Sequence, residues 1–212
     1  MPSWGWQILS AFGINESNLL FMKKGMLIKN IIMPLESYRT HMSASSEFQC
    51  VFDTIRDFYC ARFDIQPTRK VYLSRRNQLA RKLSNETSIE ALLSSEGYEI
   101  IVPESLSVAE QVQLAASSKI LIGATGSGLY LAAFQQRGTS TIALHPKDFL
   151  LFDDFILSAV GHRRSVFISG SDQVINCSSK KARRESTWEL IVDNHLKEFI
   201  SEVTRGYFSV TF

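Results

Sequence analysis

Beyond residue 69 the chain alternates short apolar runs with longer segments whose apolar residues recur every three or four positions. The runs fit strands at 70–74, 98–102, 120–123, 139–144 and 165–169, and the longer segments fit helices at 85–95, 108–117, 128–136, 149–160 and 187–203. Two helix starts carry capping boxes, Ser107-Val-Ala-Glu110 and Ser186-Thr-Trp-Glu189, in which the serine and the acid each take a free backbone N–H. Strand–helix alternation at this spacing predicts βαβ units. The fold expected is α/β, a Rossmann-like parallel sheet with flanking helices.

The first part of the chain reads differently. A helix is expected over 4–12, closed by Gly13, followed by strands at 19–22 and 26–33. Residues 33–46 are polar, contain Pro34 and read as a linker. From 44 to 62, Phe48, Val51, Phe52, Ile55, Phe58 and Tyr59 form a helical stripe, expected to pack on the sheet. This divides the chain into 1–43, a connector, and 44–212, the α/β domain. Trp4 and Trp6 would cover an apolar face, which if left bare is an association surface for a second copy or a partner chain.

Composition narrows the classes. With 45% hydrophobic and 21% charged residues in 212, the chain is globular. A net charge of +2 gives no basic excess for nucleic acid. Cys50, Cys60 and Cys177 form no CxxC pair and leave one thiol over, so they are expected to be reduced and buried. No apolar run reaches the roughly 18 to 20 residues of a membrane span. Polar residues Gln7, Ser10, Asn15, Glu16 and Asn18 interrupt the N-terminus, and Lys23-Lys24 follow its apolar stretch, unlike a signal peptide. A cytoplasmic protein, at most peripheral at the inner membrane, is expected.

Ligands of such sheets bind beyond the carboxyl ends of the strands. The strand at 70–74 runs into Arg75 and Arg76, inside a stretch from Arg69 to Lys82 with six basic residues and no acid. Arginine there can grip phosphate oxygens with two parallel bonds; a solvated turn whose arginines pair with Glu86 or Glu90 fits equally. The strand at 120–123 ends in Ala124-Thr-Gly-Ser-Gly-Leu129, where glycines allow close approach, the helix start offers N–H groups to an anion, and Thr125 and Ser127 add hydroxyls. That spacing is neither the dinucleotide fingerprint nor a P-loop, and tight helix–strand packing is the alternative. Glu104 follows the second strand, where it could accept sugar hydroxyls or cap the next helix; His145 follows the fourth. Asp153-Asp154 lie in an amphipathic helix, no Asp-x-Asp occurs, and His41, His162 and His195 have no ligand spacing, so no metal is expected. Lys180-Lys-Ala-Arg-Arg184 reads as a solvated loop.

The order of these pieces resembles the donor-binding half of the glycosyltransferase 61 family. The likeness runs through Val71-Tyr-Leu-Ser-Arg-Arg76, Arg81-Lys-Leu-Ser-Asn-Glu86, Glu99-Ile-Ile-Val-Pro-Glu104, Leu106-Ser-Val-Ala-Glu-Gln111, Ile122-Gly-Ala-Thr-Gly-Ser-Gly-Leu129 and Ile142-Ala-Leu-His-Pro146. Residues 147–170, with Gly161-His162-Arg163, are similar to the bacterial branch that acts in capsule or lipopolysaccharide synthesis. The resemblance implies an inverting, metal-independent GT-B transferase with a nucleotide-sugar as co-substrate, no other cofactor, and a glycan acceptor. It implies that Arg75 holds the diphosphate, that the start of the helix at Gly126-Ser127-Gly128 supports it, and that Glu104 and Glu110 line or brace the nucleotide pocket. The candidate binding set is therefore Arg75, Arg76, Glu104, Glu110, Thr125, Gly126, Ser127, Gly128 and His145, with the catalytic base unassigned and expected outside this chain. Family members commonly carry His at the Thr125 position and an acid at the Ala143 position, and only about 60 residues precede the donor half here. Three readings stay open: a transferase donor half, a catalytically weak nucleotide-sugar-binding partner of a complete transferase, and an unrelated Rossmann-like domain.

Overall fold

A computed structural model describes residues 1–22, 24–78, 80–175 and 186–205. In chain order it contains α1 (Ser3–Ser10), a 3-10 turn (Glu16–Asn18), the hairpin β1 (Tyr38–Arg39) and β2 (Ser43–Ala44), and α2 (Ser46–Cys60). There follow β3 (Arg69–Leu73), β4 (Lys82–Leu83), α3 (Glu86–Ser95), β5 (Glu99–Ile101), a 3-10 turn (Pro103–Ser105), α4 (Val108–Ser117) and β6 (Ser118–Ala124). A 3-10 helix (Ser127–Phe134), β7 (Ser140–His145), α5 (Phe152–Val160), β8 (Arg164–Ser169), β9 (Val174–Ile175), β10 (Ser186–Trp188) and α6 (Asn194–Arg205) complete it.

Strands β5-β3-β6-β7-β8 form, in that order, one parallel sheet. Side chains alternate across it. Tyr72, Ile122, Ile142 and Leu144 face a core closed by Ile89 and Leu93 of α3 and by Leu196 and Ile200 of α6. Val71, Leu73, Leu121 and Ala143 face Leu114 of α4 and Leu129 and Ala132 of the 3-10 helix. Ala143 is thus core, where small size suits close packing. From β3 the chain crosses outward to β5, then returns past β3 to β6 and continues through β7 to β8. The reversal opens a crevice beyond the carboxyl ends of β3 and β6, where a doubly wound sheet takes its ligand.

Several expected elements differ. Residues 19–22 and 26–33 contain no strand among those described, and Leu27 and Ile32 are 90% and 96% exposed. An apolar run becomes a strand only where a second backbone pairs with it along its length, and among the described residues no strand pairing includes these runs. The presumed linker instead holds β1 and β2. The helix expected at 187–203 begins at Asn194, where Asp193 Oδ1 accepts the Leu196 N–H at 2.9 Å. The Ser186 box is no cap: Ser186–Trp188 pairs with β4 and β9, and Ser186 Oγ donates to Gln173 Oε1. Burial of Trp188 and Leu190 outweighs the local helix signal. Residues 127–134 wind as a 3-10 helix against β6, leaving a Cβ on Gly123 only 3.1 Å from Leu129 Cδ1.

Helix α2 packs on α4, the 3-10 helix and α5, forming an outer layer rather than lying on the sheet. Its ring contacts, Phe48 on Tyr38 and Phe52 on Phe134, tie the β1–β2 hairpin to the domain. Trp4 is exposed. Cys50 is exposed and Cys60 half-buried, against the expectation of buried thiols, because both lie on a helix with one face to solvent. Cys177 and the basic run at 180–184 lie outside the described residues. Arg163 is buried and donates to the carbonyls of Leu157 and Gln135, bracing the end of α5; burial lowers its pKa to about 10. No described helix is long and apolar enough to cross a membrane.

Candidate functional site

A cleft of about 270 Å³ occupies the crevice at the reversal, lined by Arg75, Gln78, Glu104, Gln111, Ser127 and Gly128 over a floor of Leu73, Ala124 and Leu129. Arg75 comes two residues after β3. Its N–H donates to Glu86 Oε1 at 2.9 Å, and Tyr72 Oη donates to the same oxygen at 2.7 Å. Its guanidinium reaches the carbonyls of Thr125 (3.2 Å) and Ala80 (3.0 Å), while Nε is buried without a partner.

Arg81 approaches the same spot. It holds a left-handed backbone (φ 51°), lies 5.0 Å over the Phe149 ring, and accepts from Trp188 Nε1 at 2.9 Å through its carbonyl. Its Nε is also buried and unpartnered. Both guanidinium groups converge on Gly126. With φ at 142°, that residue has no room for a Cβ, which would overlap Arg75 Nη1 and lie 3.2 Å from Arg81 Nη2. Burial first, and then the charge of Arg81, lower the pKa of Arg75. Two cations side by side, Arg75 mostly buried and each with an unpartnered Nε, are relieved by an anion between them. The N–H groups of residues 127 and 128, at the start of the 3-10 helix, precede its first internal bond, Leu129 N–H to Gly126 O at 2.9 Å, and add donors of the same sign.

Across the cleft Gln78 Nε2 donates to Glu104, which is exposed after β5, and Gln111 Nε2 braces the loop by donating to Pro103 O and Leu106 O, each at 3.0 Å. Glu110 is elsewhere. It forms the capping box with Ser107, whose hydroxyl and N–H hold its carboxyl below the usual range, and it lines a second cleft beside α4. Arg76 pairs with Glu90 at 3.1 Å and with Ser74 Oγ at 3.2 Å, outside the crevice. His145 is buried, with Nδ1 2.8 Å from Pro146 O and its ring edge-on to Phe167, and does not line the cleft. Thr125 is buried too. Its hydroxyl donates to Asp154 Oδ2 at 2.5 Å, so it fixes the loop from behind.

At the start of α5, the helix read in the sequence as amphipathic, Asp153 and Asp154 are both buried. Burial, with the charge of Asp153 adding, pushes Asp154 up to about 6 against the pull of Thr125 and Arg81. Burial also acts on Asp153, but bonds from Tyr38, the His41 N–H and Tyr130 outweigh it and hold that carboxyl low. His41 Nδ1 lies 2.7 Å from Asp153 Oδ2.

The structure thus gathers Arg75, Glu104, Ser127 and Gly128 around the cleft with Gly126 and Thr125 shaping its loop, and leaves Arg76, Glu110 and His145 outside it. Gln78 and Gln111 also line the cleft, while Arg81 and Asp154 meet its loop at Gly126 and Thr125 without lining it. The basic stretch 69–82 signalled Arg81; nothing local signalled Asp154. Among the described residues no three His, Cys, Asp or Glu side chains converge as metal ligands.

Comparison with curated proteins finds no match. The family model for glycosyltransferase 61 matches residues 17–142, more than half of the chain, from before the β1–β2 hairpin into β7, and so spans Arg75, Glu104 and the Gly126 loop. Sequence match and parallel sheet agree: the chain belongs to the glycosyltransferase 61 family.

Proposed function

We propose that the cleft binds the diphosphate of a nucleotide-sugar, and that the chain is the donor-binding half of an inverting GT-B transferase that passes the sugar to a glycan acceptor in surface polysaccharide synthesis. The observation that carries the reading is the convergence of Arg75 and Arg81 on the Gly126 backbone at the sheet's reversal point. The departing diphosphate gains negative charge as the glycosidic bond breaks. Fixed guanidinium groups and N–H dipoles aimed there stabilise it without a metal ion. Glu104, held by Gln78, suits ribose hydroxyls on the β5 side of the cleft. The sugar then extends the other way, toward the start of α5.

Calorimetric titration with UDP, GDP, CMP, ADP and NAD tests this. UDP or GDP binds more tightly than CMP, which lacks the second phosphate, and Arg75→Ala weakens that binding by about 2–4 kcal/mol, roughly 30- to 1000-fold. Preference for ADP or NAD, or affinity unchanged in Arg75→Ala, overturns the reading.

A further inference from the structure

We propose that His41, oriented by Asp153, is the general base that takes the proton from the acceptor hydroxyl; the assignment rests on the donor-site reading above. Asp153 holds His41 twice. Oδ1 accepts the backbone N–H at 2.7 Å, and Oδ2 lies 2.7 Å from Nδ1. The carboxylate side chain is fully buried, whereas the imidazole is 55% exposed. Tyr130 Oη donates to the same Oδ2 at 2.9 Å. A buried carboxylate with several donors stays ionised and keeps the proton on Nδ1. Nε2 is then the basic nitrogen, and it has no hydrogen-bond partner among the described residues. The backbone also marks the position: His41 is non-glycine at φ 58°, a conformation that persists where the surroundings impose it and that clusters at functional sites.

The pair is joined to the donor loop by two short routes. Tyr130 belongs to the 3-10 helix that Ser127 opens. Asp154, next to Asp153, takes the hydroxyl of Thr125, the residue before Gly126. The alternatives are worse placed. Glu104 lies on the opposite side of the cleft with Gln78, and Asp154 and His145 are buried. His162 stands at the amino end of β8, bonded through its carbonyl to Gly138.

In the reaction the acceptor O–H proton passes to His41 Nε2, and the oxygen forms a bond to the anomeric carbon opposite the diphosphate. The carbon–oxygen bond to phosphate breaks, its electron pair leaving on the diphosphate held by Arg75 and Arg81. Atoms and charge balance, and no further reactant enters. Asp153 is a positioning residue.

The test separates a base from a mere anchor of the hairpin. His41→Asn keeps an N–H donor near the Nδ1 position and tolerates a left-handed backbone, but carries no base. Nucleoside diphosphate release is followed from UDP-glucose, UDP-galactose, UDP-N-acetylglucosamine, UDP-xylose and GDP-mannose, with simple glycosides or water as acceptor. His41→Asn melts and binds the nucleotide as the unmodified chain does, yet turns over roughly 10²- to 10⁴-fold more slowly. His41→Gly, which suits φ 58°, regains rate on addition of imidazole. Turnover in His41→Asn within a few-fold of the unmodified chain overturns the assignment, as does nucleotide binding by the unmodified chain with no release from any donor. Failure of that chain to bind any nucleotide instead removes the donor-site reading beneath it.

Discussion

The guanidinium of Arg75 fills the space that a side chain on Gly126 would need. The arginine leaves one strand, the glycine follows the neighbouring strand, and each fixes where the other can be. Gly126→Ala meets both the φ of 142° and the displaced guanidinium. Strain on the order of 1–3 kcal/mol is expected, together with loss of nucleotide binding as Arg75 swings out. Thermal melting and calorimetry on the same preparation check the two effects. A variant that melts lower but binds unchanged would show that Arg75 does not touch the ligand.

The two arginines beyond Arg75 are expected to differ sharply. Arg81 has a buried, unpartnered Nε beside Gly126, so Arg81→Ala loses a charge-assisted bond of about 1.5–3 kcal/mol, roughly a 10- to 100-fold drop in nucleotide affinity. Arg76 spends its charge on Glu90 at the surface, a contact worth about 0–1 kcal/mol. Arg76→Ala leaves nucleotide affinity within about twofold. Equal losses in the two variants would point to a diffuse positive field instead of a built site.

What could be read from the sequence follows from how local each signal is. Strands β3, β6 and β7 are buried on both faces and read as unbroken apolar runs, and Arg75, Glu104 and the Gly126 loop follow from the rule that ligands sit past strand ends. Trp188 misled, because its pairing partner Leu83 lies in a two-residue strand far back in the chain and no local pattern outbids a capping box. His41 and Asp153 are 112 residues apart and adjacent only in the fold. The apolar runs at 19–33 look like strands because propensity sees side chains, whereas pairing needs a second backbone.

Asp154 gives a pH dependence with a defined sign. Burial raises its pKa to about 6 in the folded chain, above the ordinary carboxylate value of about 3.9 in the unfolded one. The folded state therefore binds the extra proton. Stability from this group is complete below about pH 4, falls as pH rises, and is lost above the folded pKa. Asp154→Asn removes that titration while an amide oxygen can still accept from Thr125. Relative to the unmodified chain the variant gains stability between about pH 4 and 6.5, by on the order of 3 kcal/mol at 1.36 kcal/mol per unit, and the gain then levels off. Urea unfolding at successive pH values measures it; a flat difference across the window means that Asp154 titrates normally.

Trp188 links the small sheet β4-β10-β9 to the site. Its ring lies in the core shared with α3 and α6, and its Nε1 donates to the carbonyl of Arg81 at 2.9 Å, holding that residue in its left-handed turn. Trp188→Phe keeps most of the apolar volume and removes the donor. Stability is then expected to fall by about 0.5–1.5 kcal/mol for the lost hydrogen bond to the half-buried carbonyl, and nucleotide affinity to fall with it as Arg81 loses its fixed position. Trp188→Ala adds a cavity, for a total of about 3–5 kcal/mol. The informative comparison is Trp188→Phe in the Arg81→Ala background. If the tryptophan acts on binding through Arg81, the second substitution costs no further affinity although it still lowers the melting temperature; independent losses would mean that Trp188 shapes the cleft by another route.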